Sequence, residues 1–157
     1  MRIMLTGHAG YIGTVLTPML LERGHDVTGL DSELFRDCSF LADPVSIPCI
    51  RKDVRDVTVD DLVGFDAIIH LAGLSNDPLG DYDPSLTFSI NGEGSVRLGQ
   101  LAKQAGVKRF AYASSCSNYG ASPSSFIDES GAFAPVTPYG QSKVDAEAGL
   151  TVLADDN

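Results

Sequence analysis

Three side chains in the second half of the chain have types and spacing suited to proton transfer. Thr137 and Pro138 are predicted to start a helix, and Tyr139 and Lys143, four residues apart, would share one of its faces. An isolated phenol loses its proton only near about pH 10, and a neighbouring ammonium favours the phenolate. The hydroxyl of Ser115 would hydrogen-bond the same substrate oxygen. Together these residues predict a proton relay beside a hydride carrier.

Each of these features also has a simpler interpretation. A tyrosine and a lysine at helical spacing occur by chance, and Ser114-Ser115 at a strand end is an ordinary turn. Cys116, which follows, is interpreted as a small, semi-buried thiol. The functional interpretation is preferred for the tyrosine, lysine and serine because they follow, in order, a glycine turn and a strand that ends in an acid.

The glycine turn near the start of the chain predicts a phosphate cradle. Gly7, Gly10 and Gly13 follow a short apolar strand with the spacing Gly-x-x-Gly-x-x-Gly, one residue longer in its first gap than the usual dinucleotide fingerprint. A helix beginning near Tyr11 would point its unpaired N–H groups at a pyrophosphate. Because a tight strand-to-helix turn needs glycine with or without a ligand, a purely structural role is the alternative.

Two acids follow at the ends of the next predicted strands. Asp31 comes roughly 20 residues after the first glycines, the interval expected of a carboxylate that accepts hydrogen bonds from an adenosine ribose. Such an acid repels a 2′-phosphate and therefore favours NAD over NADP. Asp53, after a short strand through Cys49–Arg51, would accept the adenine amino group while Val54 lies against the ring. For both acids the alternative is a local cap of the following loop.

The elements that must position these residues alternate between strand and helix. The apolar run over 66–73 is typical of a parallel strand covered on both faces, and His70 within it is interpreted as a hydrogen-bonded core histidine. A loop is predicted over 74–83. A long helix is predicted over 85–105, where two glycines indicate close backbone approach or a distortion. This order predicts an α/β fold with a parallel sheet and right-handed crossovers.

Composition limits the possible partners. The chain has 157 residues, with 43% hydrophobic and 20% charged residues, as expected of one globular domain. Its net charge of -10 argues against nucleic acid or an anionic membrane as partner. Without a signal-like or membrane-spanning apolar run, a cytoplasmic protein is expected. Cys38, Cys49 and Cys116 lack metal-type pairing, so reduced thiols are expected and no metal is assigned.

In this order, the motifs resemble those of the extended short-chain dehydrogenase/reductase superfamily, specifically the NAD-dependent epimerase/dehydratase group acting on nucleotide sugars. The resemblance covers the whole chain. Thr6–Gly13 is similar to the family's Thr-Gly-x-x-Gly-x-x-Gly turn, and Ser115, Tyr139 and Lys143 match its Ser/Thr and Tyr-x-x-x-Lys catalytic set. By this resemblance Tyr139 is the acid/base, Lys143 orients the nicotinamide ribose and favours ionisation of the tyrosine, and Ser115 helps handle the proton of the substrate hydroxyl.

The resemblance also implies a fold, a cofactor and an assembly. The implied fold is a Rossmann-type doubly wound parallel sheet of order 3-2-1-4-5 with helices on both faces, an NAD-binding domain over residues 1–157. The implied cofactor is NAD, the implied substrate is a nucleotide sugar, and a homodimer would form through the helices containing Asn91 and Tyr139. The residues expected to bind NAD are Gly7, Gly10, Tyr11, Ile12, Gly13, Asp31, Asp53, Val54, Leu71, Ala72, Gly73, Asn91, Ser114, Tyr139 and Lys143.

Two departures from the family pattern shape the expected activity. Members that dehydrate or decarboxylate the sugar usually carry an acid just after the catalytic Ser/Thr, whereas Cys116, Ser117 and Asn118 follow Ser115 here. Epimerisation or keto-reduction is therefore expected ahead of dehydration. The family also continues past Asn157 with a region that binds the nucleotide sugar, so the 157 residues alone are expected to be inactive or weakly active. A stand-alone NAD-binding module or redox sensor without turnover is the alternative.

Overall fold

The centre of the fold is a parallel sheet. The computed structural model describes residues 1–35, 38, 44–121 and 126–155. Its five strands are all parallel and lie in the order β3-β2-β1-β4-β5, so the predicted sheet and its strand order are confirmed. The strands are β1 (Arg2–Thr6), β2 (Asp26–Asp31), β3 (Cys49–Arg51), β4 (Ala67–His70) and β5 (Arg109–Tyr112).

Helices lie between most of the successive strands along the chain. They are α1 (Tyr11–Glu22), α2 (Val59–Leu62), α3 (Asp77–Tyr82), α4 (Pro84–Thr87), α5 (Gly94–Gln104) and α6 (Pro138–Thr151), with a π-helical segment at Phe88–Glu93 and 3-10 turns at Val54–Asp56 and Cys116–Tyr119. The chain divides into two compact units. We call residues 1–72 and 97–113 the sheet unit, and residues 73–96 and 114–155 the helical unit. In the described ranges no helix has the length and apolar character needed to cross a bilayer.

An apolar core lies on both faces of the sheet. On one face, Ile3 and Leu5 of β1 pack with Leu20 of α1. Met4 and Ile68 are paired across β1 and β4 and point to the other face, because side chains alternate along a strand. Both are fully buried. Burying a side chain of this size contributes about 2 kcal/mol, so both faces of the sheet stabilise the fold.

His70 is the polar residue within the apolar run of β4. It is 1% exposed, and its Nδ1 lies 2.6 Å from Thr6 Oγ1. Thr6 Oγ1 also accepts a hydrogen bond of 3.2 Å from the N–H of Ala72. The interpretation of His70 as a hydrogen-bonded core histidine is confirmed, and these bonds join the ends of β1 and β4.

The loop predicted over 74–83 was wrong, because this segment contains α3. Asn76 caps the helix by accepting a hydrogen bond of 3.0 Å from the N–H of Leu79. Pro78 lies in the first turn, where its missing N–H costs no helical bond. The proline and glycine that suggested a loop are therefore compatible with a short, well-capped helix.

The long helix predicted over 85–105 is distorted in the region of its glycines. α4, the π-helical segment and α5 follow one another directly, and Gly92 lies within the π-helical segment. A Cβ at Gly92 would lie 3.8 Å from the carbonyl oxygen of Ser142 in α6. The predicted distortion is confirmed, and such π segments often occur at functional sites.

Candidate cofactor and catalytic site

The glycine turn packs tightly against the segment that follows β4. Gly7 has a φ of +71°, which favours glycine, and a Cβ there would lie 2.7 Å from the N atom of Ala72. A Cβ at Gly13 would overlap the carbonyl oxygen of Gly7. The N–H of Gly7 donates to Leu30 in β2, at 2.8 Å. In the sheet unit, the structure therefore brings together the glycine turn, the end of β2 and the predicted residues Leu71 and Ala72.

The first turn of α1 is suited to hold an anion. Gly10 precedes the helix and has no side chain to cap it, and the first turn contains no acidic residue. The opening N–H groups of a helix need acceptors from outside the helix, and the helix dipole favours a negative charge there. Tyr11 and Ile12 begin the helix with exposed side chains. This donor set fits the pyrophosphate of a dinucleotide.

Asp31 lies against the glycine turn. Its Oδ2 accepts a hydrogen bond of 3.1 Å from the N–H of Ala9, and its Oδ1 accepts one of 2.7 Å from the N–H of Glu33. The second bond is the local cap that was the alternative for this acid, and the first ties the end of β2 to the turn. A carboxylate has further lone pairs, so these two bonds leave capacity for the hydroxyls of a ribose.

His8 lies beside this carboxylate. Its Nδ1 is 3.9 Å from Asp31 Oδ2, and the ring rests on Gly29. Burial lowers the pKa of His8, while the charges of Asp31 and Glu33 act in the opposite direction. A neutral imidazole leaves the carboxylate its full negative charge, which suits the recognition of hydroxyl donors.

Asp53 and Val54 are engaged within the chain. Asp53 Oδ1 accepts from the N–H and the Nε of Arg55, both at 2.9 Å, and Oδ2 accepts from Nη2 at 2.8 Å. The hydrogen bonds from the Arg55 side chain hold the pKa of Asp53 below its usual range. Val54 is buried. The structure therefore places Asp53 in the local cap that was its alternative, and the adenine contact stays a prediction.

Asn91 fixes the chain in the helical unit that follows β4 in sequence. The side chain is 1% exposed, and its Oδ1 accepts from the N–H of Leu74 while its Nδ2 donates to the Leu74 carbonyl, both at 2.8 Å. Nδ2 also lies 3.3 Å from Ser142 Oγ. Gly73 leaves room for this amide, since a Cβ there would lie 2.8 Å from Asn91 Oδ1. The Asn91 side chain is thus hydrogen-bonded to the backbone of Leu74, and its contact with NAD stays a prediction.

Helix α6 carries Tyr139 and Lys143 on one face. Thr137 caps it by accepting a hydrogen bond of 3.1 Å from the N–H of Gly140, and Pro138 lies in its first turn, as predicted. Lys143 Nζ lies 5.9 Å from the centre of the Tyr139 ring. The predicted shared face is confirmed.

Lys143 is deeply buried for a lysine. It is 7% exposed, and burial lowers its pKa to about 8 against the opposing charge of Glu147. An exposed lysine keeps its proton to above about pH 10. Lys143 therefore exchanges its proton much closer to neutrality than an ordinary lysine does.

The predicted Ser114 and Ser115 start the loop that enters the second 3-10 turn. Ser115 is half-buried, and its Oγ accepts a hydrogen bond of 3.2 Å from the N–H of Ser117. Ser114 Oγ donates a short hydrogen bond to Glu147 Oε1. Asn118 Nδ2 lies 3.0 Å from Ser114 Oγ and 2.8 Å from Glu147 Oε1. The Ser114 hydroxyl is thus engaged with α6, and its contact with NAD stays a prediction.

Sequence reasoning missed Glu147 and Asn118. Glu147 could have been found by extending the helical spacing, because it follows Lys143 by four residues and Tyr139 by eight. Asn118 carried no such signal, because a lone asparagine near a glycine is an ordinary turn residue.

Cys116 is exposed, so its interpretation as a semi-buried thiol was wrong. The buried residue of the same 3-10 turn is Asn118, which is 1% exposed. Cys38 and Cys49 are also free and exposed.

Nearly the whole chain is similar to one family of proteins. A family model described as the NAD dependent epimerase/dehydratase family matches residues 3–157. A UDP-glucose 4-epimerase of Mycolicibacterium smegmatis is 31% identical over 159 aligned positions, which cover 97% of this chain and 51% of that protein. The chain thus spans about half the length of this relative.

Solved structures are likewise similar to this chain over about half of their own length. MoeE5 in complex with UDP-glucuronic acid and NAD is 30% identical with a TM-score of 0.85, covering 98% of this chain and 49% of that one. The UDP-glucose 4-epimerase of Thermus thermophilus in complex with NAD is 30% identical with a TM-score of 0.84, covering 97% of this chain and 50% of that one.

Proposed function

This chain belongs to the NAD-dependent epimerase/dehydratase family, and on that premise we propose that residues 1–157 form the NAD-binding Rossmann domain of a nucleotide-sugar epimerase or keto-reductase. The observation that carries the proposal is the face shared by Tyr139 and Lys143 on α6, with 5.9 Å between Lys143 Nζ and the ring centre. The substrate class follows from similarity to a UDP-glucose 4-epimerase and to a protein solved with UDP-glucuronic acid and NAD.

The residues that would hold the cofactor lie at the carboxyl ends of the strands. The backbone donors of the turn from Gly7 to Gly13 bind the pyrophosphate, and Asp31 accepts hydrogen bonds from the adenosine ribose. When bound, NAD supplies an acceptor and donor of hydride. A 2′-phosphate would meet the charge of Asp31, so the site favours NAD over NADP.

The proposed catalytic residues move and hold one proton. The Tyr139 oxygen takes the proton of a sugar hydroxyl as the hydride leaves the carbon that bears it, and a C=O group forms there. Ser115 hydrogen-bonds the same substrate oxygen. Lys143 orients the nicotinamide ribose. In an epimerase, the proton and the hydride then return, with the hydride added to the other face of the carbon.

Cofactor binding is the first test, and it uses the 157-residue chain. Calorimetric titration is expected to show NAD binding more tightly than NADP, and Asp31→Asn is expected to reduce that preference. Asp26→Asn, which changes an exposed acid at the opposite end of the same strand, is the matched control. Tighter binding of NADP than of NAD would contradict the role of Asp31.

Turnover is the second test. The 157 residues alone are expected to epimerise UDP-glucose weakly or not at all. In a protein of the relatives' full length that carries this chain, Tyr139→Phe is expected to remove most turnover and keep NAD binding, whereas the control Tyr119→Phe keeps both. Unchanged turnover in Tyr139→Phe would refute the role of Tyr139. Robust epimerisation by the 157 residues alone would refute the proposal that they form only the NAD-binding domain of the enzyme.

A homodimer and a cytoplasmic location also belong to the proposal. The dimer would form through the helices that contain Asn91 and Tyr139. Sedimentation of the chain tests the dimer, and cell fractionation tests the location.

A further inference from the structure

A hydrogen-bonded cluster outside the proposed catalytic set joins two segments of the helical unit. Glu147 lies on α6, and its Oε1 accepts hydrogen bonds from Ser114 Oγ and from Asn118 Nδ2. Ser114 directly precedes Ser115 in the chain, and Asn118 lies in the 3-10 turn Cys116–Tyr119 that follows. One carboxylate oxygen therefore fastens the loop that bears Ser115 to the helix that bears Tyr139.

The orientation of Asn118 is determined by its partners. A carboxylate only accepts hydrogen bonds, so the amide must turn its NH₂ group toward Glu147. This leaves Asn118 Oδ1 buried, and within the described part of the chain it has no hydrogen-bond partner. An unsatisfied buried oxygen is costly, so the bonds at the other end of the amide decide how this side chain lies.

The same carboxylate acts on Lys143. Glu147 follows Lys143 by one helical turn, and its negative charge raises the proton affinity of a lysine whose pKa is otherwise lowered by burial. Glu147 is the acid that contributes to this balance, which leaves the pKa of Lys143 at about 8. Without that charge, burial would lower the pKa of the ammonium further.

We propose that Glu147 is a positioning residue of the catalytic site, which ties the Ser115 loop to α6 and sets a fixed negative charge one turn from Lys143. The proposal rests on the proposed function, because that function assigns the catalytic roles to Ser115, Tyr139 and Lys143. Glu147 acts through these residues.

Two substitutions separate the charge of Glu147 from its hydrogen bonds. Glu147→Gln keeps an oxygen that accepts from Ser114 and Asn118 but removes the charge, whereas Glu147→Ala removes both. Asp145→Asn is the matched control, because it removes a charge from the same helix at a side chain that accepts a 2.8 Å hydrogen bond from Gln141.

The measurements are an NMR titration of the Lys143 side chain and amide hydrogen exchange of the loop, both on the 157-residue chain. Glu147→Gln and Glu147→Ala are each expected to weaken proton binding by Lys143 at least about threefold. Glu147→Ala is also expected to speed exchange of the Asn118 and Gly120 amides about tenfold, while Glu147→Gln keeps them near wild type. Asp145→Asn should leave both readouts unchanged.

An unchanged Lys143 titration in Glu147→Gln would overturn the electrostatic role, and unchanged loop exchange in Glu147→Ala would overturn the fastening role. If Glu147→Ala does not fold, the titration of Glu147→Gln still decides the electrostatic role and its loop exchange must match wild type. Neither measurement contains NAD. A failure of the wild-type chain to bind NAD would therefore refute the proposed function alone and would leave these two results standing.

Discussion

The sheet unit and the helical unit bury different kinds of side chain. The sheet unit encloses aliphatic residues such as Leu5, Leu30 and Ile68, together with a few hydrogen-bonded polar ones. In the described part of the helical unit, Ala146 is the one buried hydrophobic side chain, and the other buried side chains are polar. These polar residues are Thr87, Asn91, Ser95, Asn118, Ser142 and Lys143.

The two interiors follow different physical rules. Apolar burial is roughly proportional to area and has no preferred direction, so it stabilises a fold without fixing one arrangement of atoms. Hydrogen bonds require distances and angles, and a buried polar group that loses its partner destabilises the fold. We infer that the sheet unit supplies most of the stability, while the helical unit gives up some stability to hold its polar side chains in fixed positions.

The largest expected effect comes from emptying the apolar core. Ile68→Ala should lower the free energy of unfolding by about 3 kcal/mol, because it removes buried methyl groups and leaves a cavity, whereas Ile68→Val should lower it by about 1 kcal/mol. Urea unfolding measures both. A loss below about 1.5 kcal/mol in Ile68→Ala would break the assignment of stability to the sheet unit.

A similar loss is expected where the glycine turn meets the chain after β4. Gly7→Ala should cost about 3 kcal/mol, because the new Cβ meets backbone at Ala72 in addition to the strain of a positive φ. Gly24 has a φ of +75° in open space, so Gly24→Ala should cost only about 1 kcal/mol. Equal losses in urea unfolding would show that close packing of the turn contributes nothing.

Within the polar interior, Asn91→Leu should cost about 2 kcal/mol although leucine is similar in size. The substitution leaves the N–H and carbonyl of Leu74 without their side-chain partner. Asn91→Asp keeps the acceptor for the N–H, but it buries a carboxylate oxygen against the Leu74 carbonyl, so it should cost at least as much. Urea unfolding and hydrogen exchange at the Leu74 amide measure the change, and a neutral Asn91→Leu would mean that this interior tolerates apolar replacement as the sheet unit does.

One expected effect has the opposite sign. Lys143→Met should raise the free energy of unfolding at pH 7 by up to about 3 kcal/mol, because it removes a charge that burial disfavours. The folded pKa is about 8 and the ordinary value is 10.5, so between these values the unfolded chain holds more protons and stability rises with pH. Below pH 8 the cost of burial is fully present.

The pH dependence provides the check on Lys143. Between pH 7 and pH 10.5, urea unfolding should show the free energy of unfolding of wild type rising relative to that of Lys143→Met. Parallel curves for the two proteins would mean that burial of this ammonium does not oppose folding. That result would contradict the inference that the helical unit gives up stability to hold its polar side chains in fixed positions.

The contrast between the units also explains what the sequence could predict. The apolar run over 66–73 and the spacing of Gly7, Gly10 and Gly13 are local patterns, and they predicted strand β4 and the turn into α1 correctly. The face shared by Tyr139 and Lys143 was likewise predictable, because both lie on one helix.

Contacts between distant polar residues could not be predicted in this way. Glu147 meets Ser114, 33 residues earlier, and Thr137 donates to Asp77, 60 residues earlier. No periodicity encodes such pairs, because each requires two segments to be already folded. The helix at Asp77–Tyr82 was missed because its proline and glycine are typical of turns. Only the cap at Asn76 distinguishes this segment from a loop.

The π-helical segment at Phe88–Glu93 has a consequence for how this region tolerates changes in length. A π turn holds one residue more than the α-helical turn it replaces, so it shifts the phase of every side chain beyond it by about 100°. Deleting one residue between α4 and α5 would restore a regular helix and leave either the preceding or the following side chains facing a new direction. Here a substitution changes one contact, but a single-residue deletion would rotate a whole face.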